Sequence, residues 1–156
     1  MDEIKRILVV SRSTKYCQKA VQAGVSLAGK YGAELYVFHA IHNPFGLQGW
    51  NLPLPSIPVL AEEYKNMQQE AKSDLDKMIA SAQAKGMPIH VLVVEGDPNK
   101  EIFKIVKKEK IDLLIMLAHE EGRLEHFLSG RSNEVIIRQM PCSIMLVKKE
   151  PGPAAY

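Results

Sequence analysis

The chain has 156 residues, which is enough for one domain with a substantial core. Hydrophobic residues make up 46% of it and charged residues 24%, the proportions of an ordinary globular protein. The net charge of +2 is too small to indicate a nucleic acid or an anionic membrane as partner. No apolar run reaches transmembrane length, and the two cysteines have no metal or redox spacing. We therefore expect a single-domain cytoplasmic protein that binds neither nucleic acid nor membrane.

Short apolar runs alternate along the chain with stretches of helical periodicity. The predicted strands are Ile7–Val10, Leu35–Ile41, Ile89–Val94, Leu113–Leu117 and Ser143–Val147. The predicted helices run from Thr14 to Tyr31, from Leu60 to Lys85, from Asn99 to Lys110 and from Ser132 to Met140. The segment Asn43–Pro58, with four prolines and the only tryptophan, is predicted to be a long loop. We expect this loop to pack as a lid or as a cover for the sheet edge, and the alternative is an exposed partner surface.

This order of elements predicts an α/β fold, in which right-handed crossovers wind a parallel sheet with helices on both faces. We expect the domain to occupy residues 1–149 and the Pro- and Gly-rich residues 150–156 to form a disordered tail. A sheet of this kind binds its ligand outside the carboxyl ends of its strands, where the strand order reverses. The segment Ser129–Ser132 then precedes a helix whose free N–H groups and dipole would hold an anion.

Four segments resemble one known family. They are KRILVVSRST at the first strand, ELYVFHAIH at the second, VVEGDPNKEI at the third, and SGRSNEVIIRQMPCSIMLVK at the last helix and strand. Together they make the chain similar to the universal stress proteins over about residues 3–149. The resemblance implies a single doubly wound domain with five parallel strands in the order 3-2-1-4-5.

The resemblance also locates a nucleotide pocket and shows where this chain departs from it. ATP-binding members of the family carry Gly-x2-Gly-x9-Gly-Ser/Thr after the fourth strand. The corresponding residues here are Leu117, Glu120, Gly130 and Arg131, so only the third glycine is present. Side chains at the first two positions would stand where the phosphates run, and the glutamate would add negative charge beside a polyanion. The resemblance therefore favours a degenerate nucleotide pocket, with an ATP- or AMP-binding switch as the alternative.

The strand ends and the resemblance together give one set of candidate nucleotide- or anion-binding residues. They are Val10, Arg12, Ala40, Leu117, His119, Glu120, Gly130, Arg131 and Ser132. Arg12 stands where ATP-binding members usually have an aspartate. Arg12 and Arg131 either clamp an anion or form salt bridges to Glu120, Glu121 or Glu134, and the sequence leaves both readings open. His39 matches a position that is often histidine in the family, and we expect it to have a structural role with its hydrogen bonds satisfied.

We expect no catalytic residue and no metal site. The loop that contains His119, Glu120, Glu121 and His126 matches no standard ligand spacing and is predicted to be a solvated, charged loop. The turn SRSTKY after the first strand lacks the glycines that related nucleotide hydrolases and transferases need there, which weakens that enzymatic alternative.

The last predicted strand is apolar and lies at the edge of the sheet. In the family this strand pairs with its copy in a second subunit. The resemblance therefore implies a homodimer interface formed by Ser143, Ile144, Met145, Leu146 and Val147. It also implies a non-catalytic stress-response or regulatory protein, whose protein partner the sequence does not identify.

Overall fold

The computed structural model of the chain describes residues 3–11, 17–41, 57–95, 97–118 and 132–148. Five strands lie within these ranges: β1 (Arg6–Ser11), β2 (Glu34–Ile41), β3 (Ile89–Glu95), β4 (Leu113–Leu117) and β5 (Ser143–Val147). The four described helices are α1 (Cys17–Tyr31), α2 (Ile57–Ala84), α3 (Pro98–Glu109) and α4 (Ser132–Gln139). None of these helices combines the length and the hydrophobicity that crossing a bilayer requires.

The strands form one parallel sheet in the order β3-β2-β1-β4-β5, which confirms the predicted fold. The central strand β1 pairs with β2 on one side and with β4 on the other. Because the chain moves outward from β1 in both directions, the strand order reverses between β1 and β4. This reversal is the position at which a doubly wound sheet opens for a ligand.

Two apolar cores lie on the two faces of the sheet, because successive residues of a strand point to opposite faces. On β1, Ile7 and Val9 belong to the core under α1 and α2, and Leu8 and Val10 belong to the core under α3. Ile136 places α4 on the second core as well. The apolar runs of β1 and β4 are therefore buried on both faces.

Helix α2 begins earlier than predicted. The sequence pattern assigned Ile57 and Pro58 to the loop, whereas the structure includes both in the helix. Proline is compatible with the first turn of a helix, because the N–H that it lacks would have no partner there. Farther along, Leu75, Ile79 and Ala82 carry the buried stripe of α2.

Helix α3 shows why its boundaries were predictable. The side chain of Asp97 accepts a hydrogen bond of 3.0 Å from the backbone N–H of Asn99 and caps the amino end, and Pro98 occupies the first turn. At the other end Lys110 has a left-handed backbone with φ of 51°, and its N–H bonds to the carbonyl of Val106. The helix therefore runs between two local stop signals.

Candidate functional site

The carboxyl ends of β1, β2 and β4 lie side by side at one end of the sheet, which we call the carboxyl edge. Ser11, the last residue of β1, is in register with His39 of β2, and β4 ends next to β1 at Leu117. Helix α3 starts at this edge after β3, and α4 starts at it before β5. The amino ends of α3 and α4 therefore lie at the same end of the sheet as these three strand ends, where the predicted pocket is expected.

Two of the candidate residues contribute backbone rather than side chain to this edge. Val10 and Leu117 are both buried, Val10 in the core under α3 and Leu117 in the core under α1 and α2. The expectation that the side chain of Leu117 stands in the path of phosphates is therefore wrong. Strand alternation directs this side chain into the core, and only its backbone lies along the edge. Ala40 pairs with Val94 near the end of β2.

The remaining candidates stay predictions. Arg12, His119, Glu120, Gly130 and Arg131 lie outside the described residues, as do Glu121, His126 and the loop from Asn43 to Ser56. Ser132 is described only as the first residue of α4. Within the described part of the chain, no three His, Cys, Asp or Glu side chains are grouped so that they could hold a metal ion.

Asn133 is a residue of this edge that the sequence reasoning missed. Its side-chain Nδ2 donates a hydrogen bond of 2.8 Å to the backbone carbonyl of Leu117, and the contact is partly buried. This bond ties the first turn of α4 to the last residue of β4. It holds the free N–H groups of the helix beside the point where strand order reverses. An amide residue directly after Ser132 was the only sequence signal for it.

The buried polar residues at this edge are Ser11 and His39. Among the described residues, Nδ1 of His39 has no hydrogen-bond partner, so the expectation that its hydrogen bonds are satisfied stays a prediction. Burial lowers the pKa of His39, the positive charge of Lys72 lowers it further, and the carboxylate of Asp76 only partly opposes them. His39 is therefore neutral at pH 7, as a structural histidine would be.

The last strand presents an apolar edge, as expected. Met145 and Leu146 are 38% and 44% exposed, although they lie in a strand that pairs with β4 along its whole length. Their neighbours Ile144 and Val147 pack against the two cores of the domain. The strand is thus anchored in the domain and still exposes apolar surface.

A parallel five-stranded sheet with helices on both faces, opening between β1 and β4, defines the class of doubly wound α/β domains. Within that class, the sequence model of the Universal stress protein family matches residues 3–148. The chain therefore belongs to the universal stress protein family.

Individual relatives agree with this assignment. A universal stress protein of Methanocaldococcus jannaschii is 29% identical over 150 residues, which cover 93% of this chain and 82% of the relative. The solved structure of UspA from Lactobacillus plantarum is similar with a TM-score of 0.67 at 19% identity, and the match covers 94% of this chain and 99% of that one. A family protein from Arabidopsis thaliana, solved with AMP bound, has a TM-score of 0.56 at 15% identity, covering 94% and 92% of the two chains. At these identities the structural likeness establishes the fold.

Proposed function

We propose that this protein is a non-catalytic stress-response or regulatory homodimer of the cytoplasm, joined through β5. The observation that carries the proposal is the exposed apolar surface of Met145 and Leu146 on an edge strand. The strand from Ser143 to Val147 contains no charged residue and no proline, the devices that usually block edge pairing. A second copy of the strand would satisfy its outward N–H and C=O groups and cover both side chains.

The dimer is tested by light scattering on the purified protein at tens of micromolar. The wild type is expected to have the mass of two chains, and Leu146→Lys the mass of one, because a lysine on each strand would put like charges together. Val59→Lys is the matched control, since Val59 is exposed and lies on α2 rather than on β5. A wild-type protein of monomer mass at this concentration would rule the dimer out.

We further propose that the pocket at the carboxyl edge is a degenerate nucleotide pocket within a domain of residues 1–149. Glu120 and Arg131 occupy positions that are Gly and Ser or Thr in ATP-binding members, and this departure supports the proposal. Because the side chain of Leu117 is in the core, the support comes from the charge of Glu120 and the missing glycine there rather than from bulk at position 117. The absence of catalysis is tested by incubating the dimer with ATP and assaying for hydrolysis products, of which none are expected.

The second candidate function is an AMP-class nucleotide switch. It is favoured by the relative from Arabidopsis thaliana with AMP bound, and by the bond from Asn133 to Leu117 that fixes a helix amino end at the pocket edge. Calorimetry with AMP, ADP and ATP, after a denatured sample has been checked for co-purified nucleotide, separates the two candidates. Micromolar binding would establish the switch, and no binding at millimolar nucleotide would leave the degenerate pocket.

A further inference from the structure

β3 is the outermost strand on the side of the sheet opposite β5, so it is an edge strand as well. It pairs with β2 from Ile89 to Glu95, and no other described strand lies beside it. The pairing runs through seven successive residues without a bulge, so the edge is regular. Alternate residues of β3 therefore direct their N–H and C=O groups away from β2, where another strand could pair with them.

Apolar side chains accompany this edge on the face that α2 covers elsewhere. Val91 and Val93 are 43% and 55% exposed, whereas Val37, the residue of β2 next to Val91, is fully buried. Leu75 and Ile79 of α2 pack on the core that contains Val37. Within the described residues, the cover by α2 thus reaches Val37 of β2, whereas Val91 and Val93 of β3 remain exposed to solvent.

The strand lacks the usual protection against pairing. Its sequence IHVLVVE contains no lysine and no proline, and its only charged residue is the terminal glutamate. The side chain of His90 is held within the domain, because its ring stacks on Tyr36 with centroids 4.6 Å apart and its Nε2 lies 3.4 Å from Oε2 of Glu34. His90 is therefore directed back onto β2 and away from the open edge.

We propose that β3 pairs antiparallel with β3 of a second copy of this chain. The two-fold axis of such a pair is perpendicular to the sheet, so the α2 sides of both copies lie on the same face. Residues that lie opposite each other must therefore both have odd numbers or both have even numbers, because side chains alternate between the two faces. A register centred on Leu92 places Val91 opposite the partner's Val93 at two symmetric positions. Each exposed valine then covers the other, which accounts for the apolar character of this edge.

The charges of the strand are compatible with this register. His90 lies opposite the partner's Val94 and Ile89 opposite the partner's Glu95, so no like charges face each other across the pair. Two strands of seven residues bury less than the roughly 1,200 Å² found in stable complexes, so the pairing is weak and depends on concentration. It does not depend on β5. If both edges pair, the sheet continues from copy to copy without closing into a ring.

The test is the mass of the protein by light scattering, from micromolar to submillimolar concentration, with single and double edge variants. Val93→Lys places the residue that natural edges use for protection at the centre of the interface. Val59→Lys is the matched control, because Val59 is similarly exposed, at 59%, but lies on α2. Circular dichroism melts confirm that each variant is folded.

At the highest concentrations we expect the wild type and Val59→Lys to have a mass above that of two chains, whereas the mass of Val93→Lys should not exceed two chains. Leu146→Lys is expected to rise from one chain to two, and the double variant to stay at one. Equal masses for Val93→Lys and Val59→Lys at every concentration would overturn the β3 pairing. A wild type that is monomeric at low concentration and dimeric at high concentration, with Val93→Lys always monomeric, would retain the β3 pairing and refute the β5 dimer.

The register has its own test, in a background where Cys17 and Cys142 are serine. A mixture of the Val91→Cys and Val93→Cys proteins is expected to form a disulfide-linked dimer on mild oxidation, because these positions are opposite and opposed Cβ atoms lie close enough for a disulfide. Each protein alone should crosslink several-fold less. Equal crosslinking in the mixture and in the separate proteins would contradict the register centred on Leu92. Self-association that Val93→Lys leaves unchanged would contradict the pairing itself.

Discussion

At the scale of single residues, the carboxylate of Asp112 joins the starts of β1 and β4. Its Oδ2 accepts hydrogen bonds of 2.9 Å from the backbone N–H groups of Lys5 and Arg6, and its own N–H bonds to the carbonyl of Arg6. Asp112→Ala leaves two N–H groups without this acceptor, one of them partly buried. We expect it to lower the free energy of unfolding by about 1–3 kcal/mol in urea titrations.

Two comparisons show whether the hydrogen bonds are the cause. Asp112→Asn keeps an oxygen acceptor and should lose clearly less stability than Asp112→Ala. Glu134→Ala removes an exposed ion pair with Arg138 on α4 and should change stability by no more than about 0.5 kcal/mol. If Asp112→Ala were as mild as Glu134→Ala, the link between β1 and β4 would carry no energetic weight.

Cys142 is a second residue whose chemistry is set by its surroundings. Burial, assisted by the negative charge of Asp112, raises the pKa of this thiol to about 11, although a backbone hydrogen bond at Leu114 opposes the shift. At pH 8 the folded thiol is therefore almost fully protonated. In a Cys17→Ser background we expect alkylation by iodoacetamide to be about a hundredfold slower in the folded than in the urea-unfolded protein. A folded-state rate that levels off near pH 9 would contradict this.

At the scale of elements, Gly24 lets α1 approach the sheet closely. A Cβ at this position would overlap Cγ2 of Val9 and lie 3.2 Å from Cδ1 of Leu35, and both neighbours are fully buried. We expect Gly24→Ala to destabilise the protein by about 1–3 kcal/mol despite the better helix propensity of alanine. Gly24→Ala should cost less in a Val9→Ala background than in the wild type, because Val9→Ala removes the overlapping methyl group.

The same substitution five residues later is the control. At Gly29 an added Cβ would meet only Cε of Met87, at an ordinary contact distance of 3.5 Å. Gly29→Ala should therefore stabilise the protein by about 0.5–1 kcal/mol, since alanine is the better helix former. Equal effects of the two substitutions in thermal or urea unfolding would mean that α1 is not held against β1 at Gly24.

The elements also show how far the sequence predicts this fold. Runs rich in Val, Ile and Leu located all five strands, because the inner strands β1 and β4 are buried on both faces and the edge strands β3 and β5 keep an apolar sequence although part of it is exposed. The first turn of α2 was missed because Pro58 is equally compatible with a loop and with a helix start. Two features at Leu117 were not predicted. The face of the sheet to which its side chain points depends on the exact strand register, and the hydrogen bond from Asn133 to its carbonyl joins residues sixteen positions apart.

At the scale of the whole molecule, the buried imidazole of His39 links folding stability to pH. The groups that face it are Lys72 and Asp76 of α2, which form an exposed pair of 2.8 Å, and Ser11 beside it on β1. Because burial and Lys72 lower its pKa in the folded state, the unfolded chain binds a proton at His39 more readily than the folded chain does. The stability that the neutral imidazole of His39 contributes is fully present above the pKa of this histidine in the unfolded chain, near 6.5. It is lost as the pH falls below that value.

The free energy of unfolding is therefore expected to decrease between pH 7 and pH 5 with a slope of up to about 1.4 kcal/mol per pH unit from this one group. His39→Gln cannot take up the proton and should flatten the slope, even if it lowers stability at pH 7. His90→Gln is the matched control, because the side chain of His90 is half exposed and lies toward the opposite end of the sheet. Parallel stability curves for the wild type and His39→Gln would show that carboxylates alone set the acid sensitivity of the fold. A curve that flattens for His39→Gln but not for His90→Gln would place the sensor at the carboxyl edge of the sheet, where α2 covers β2.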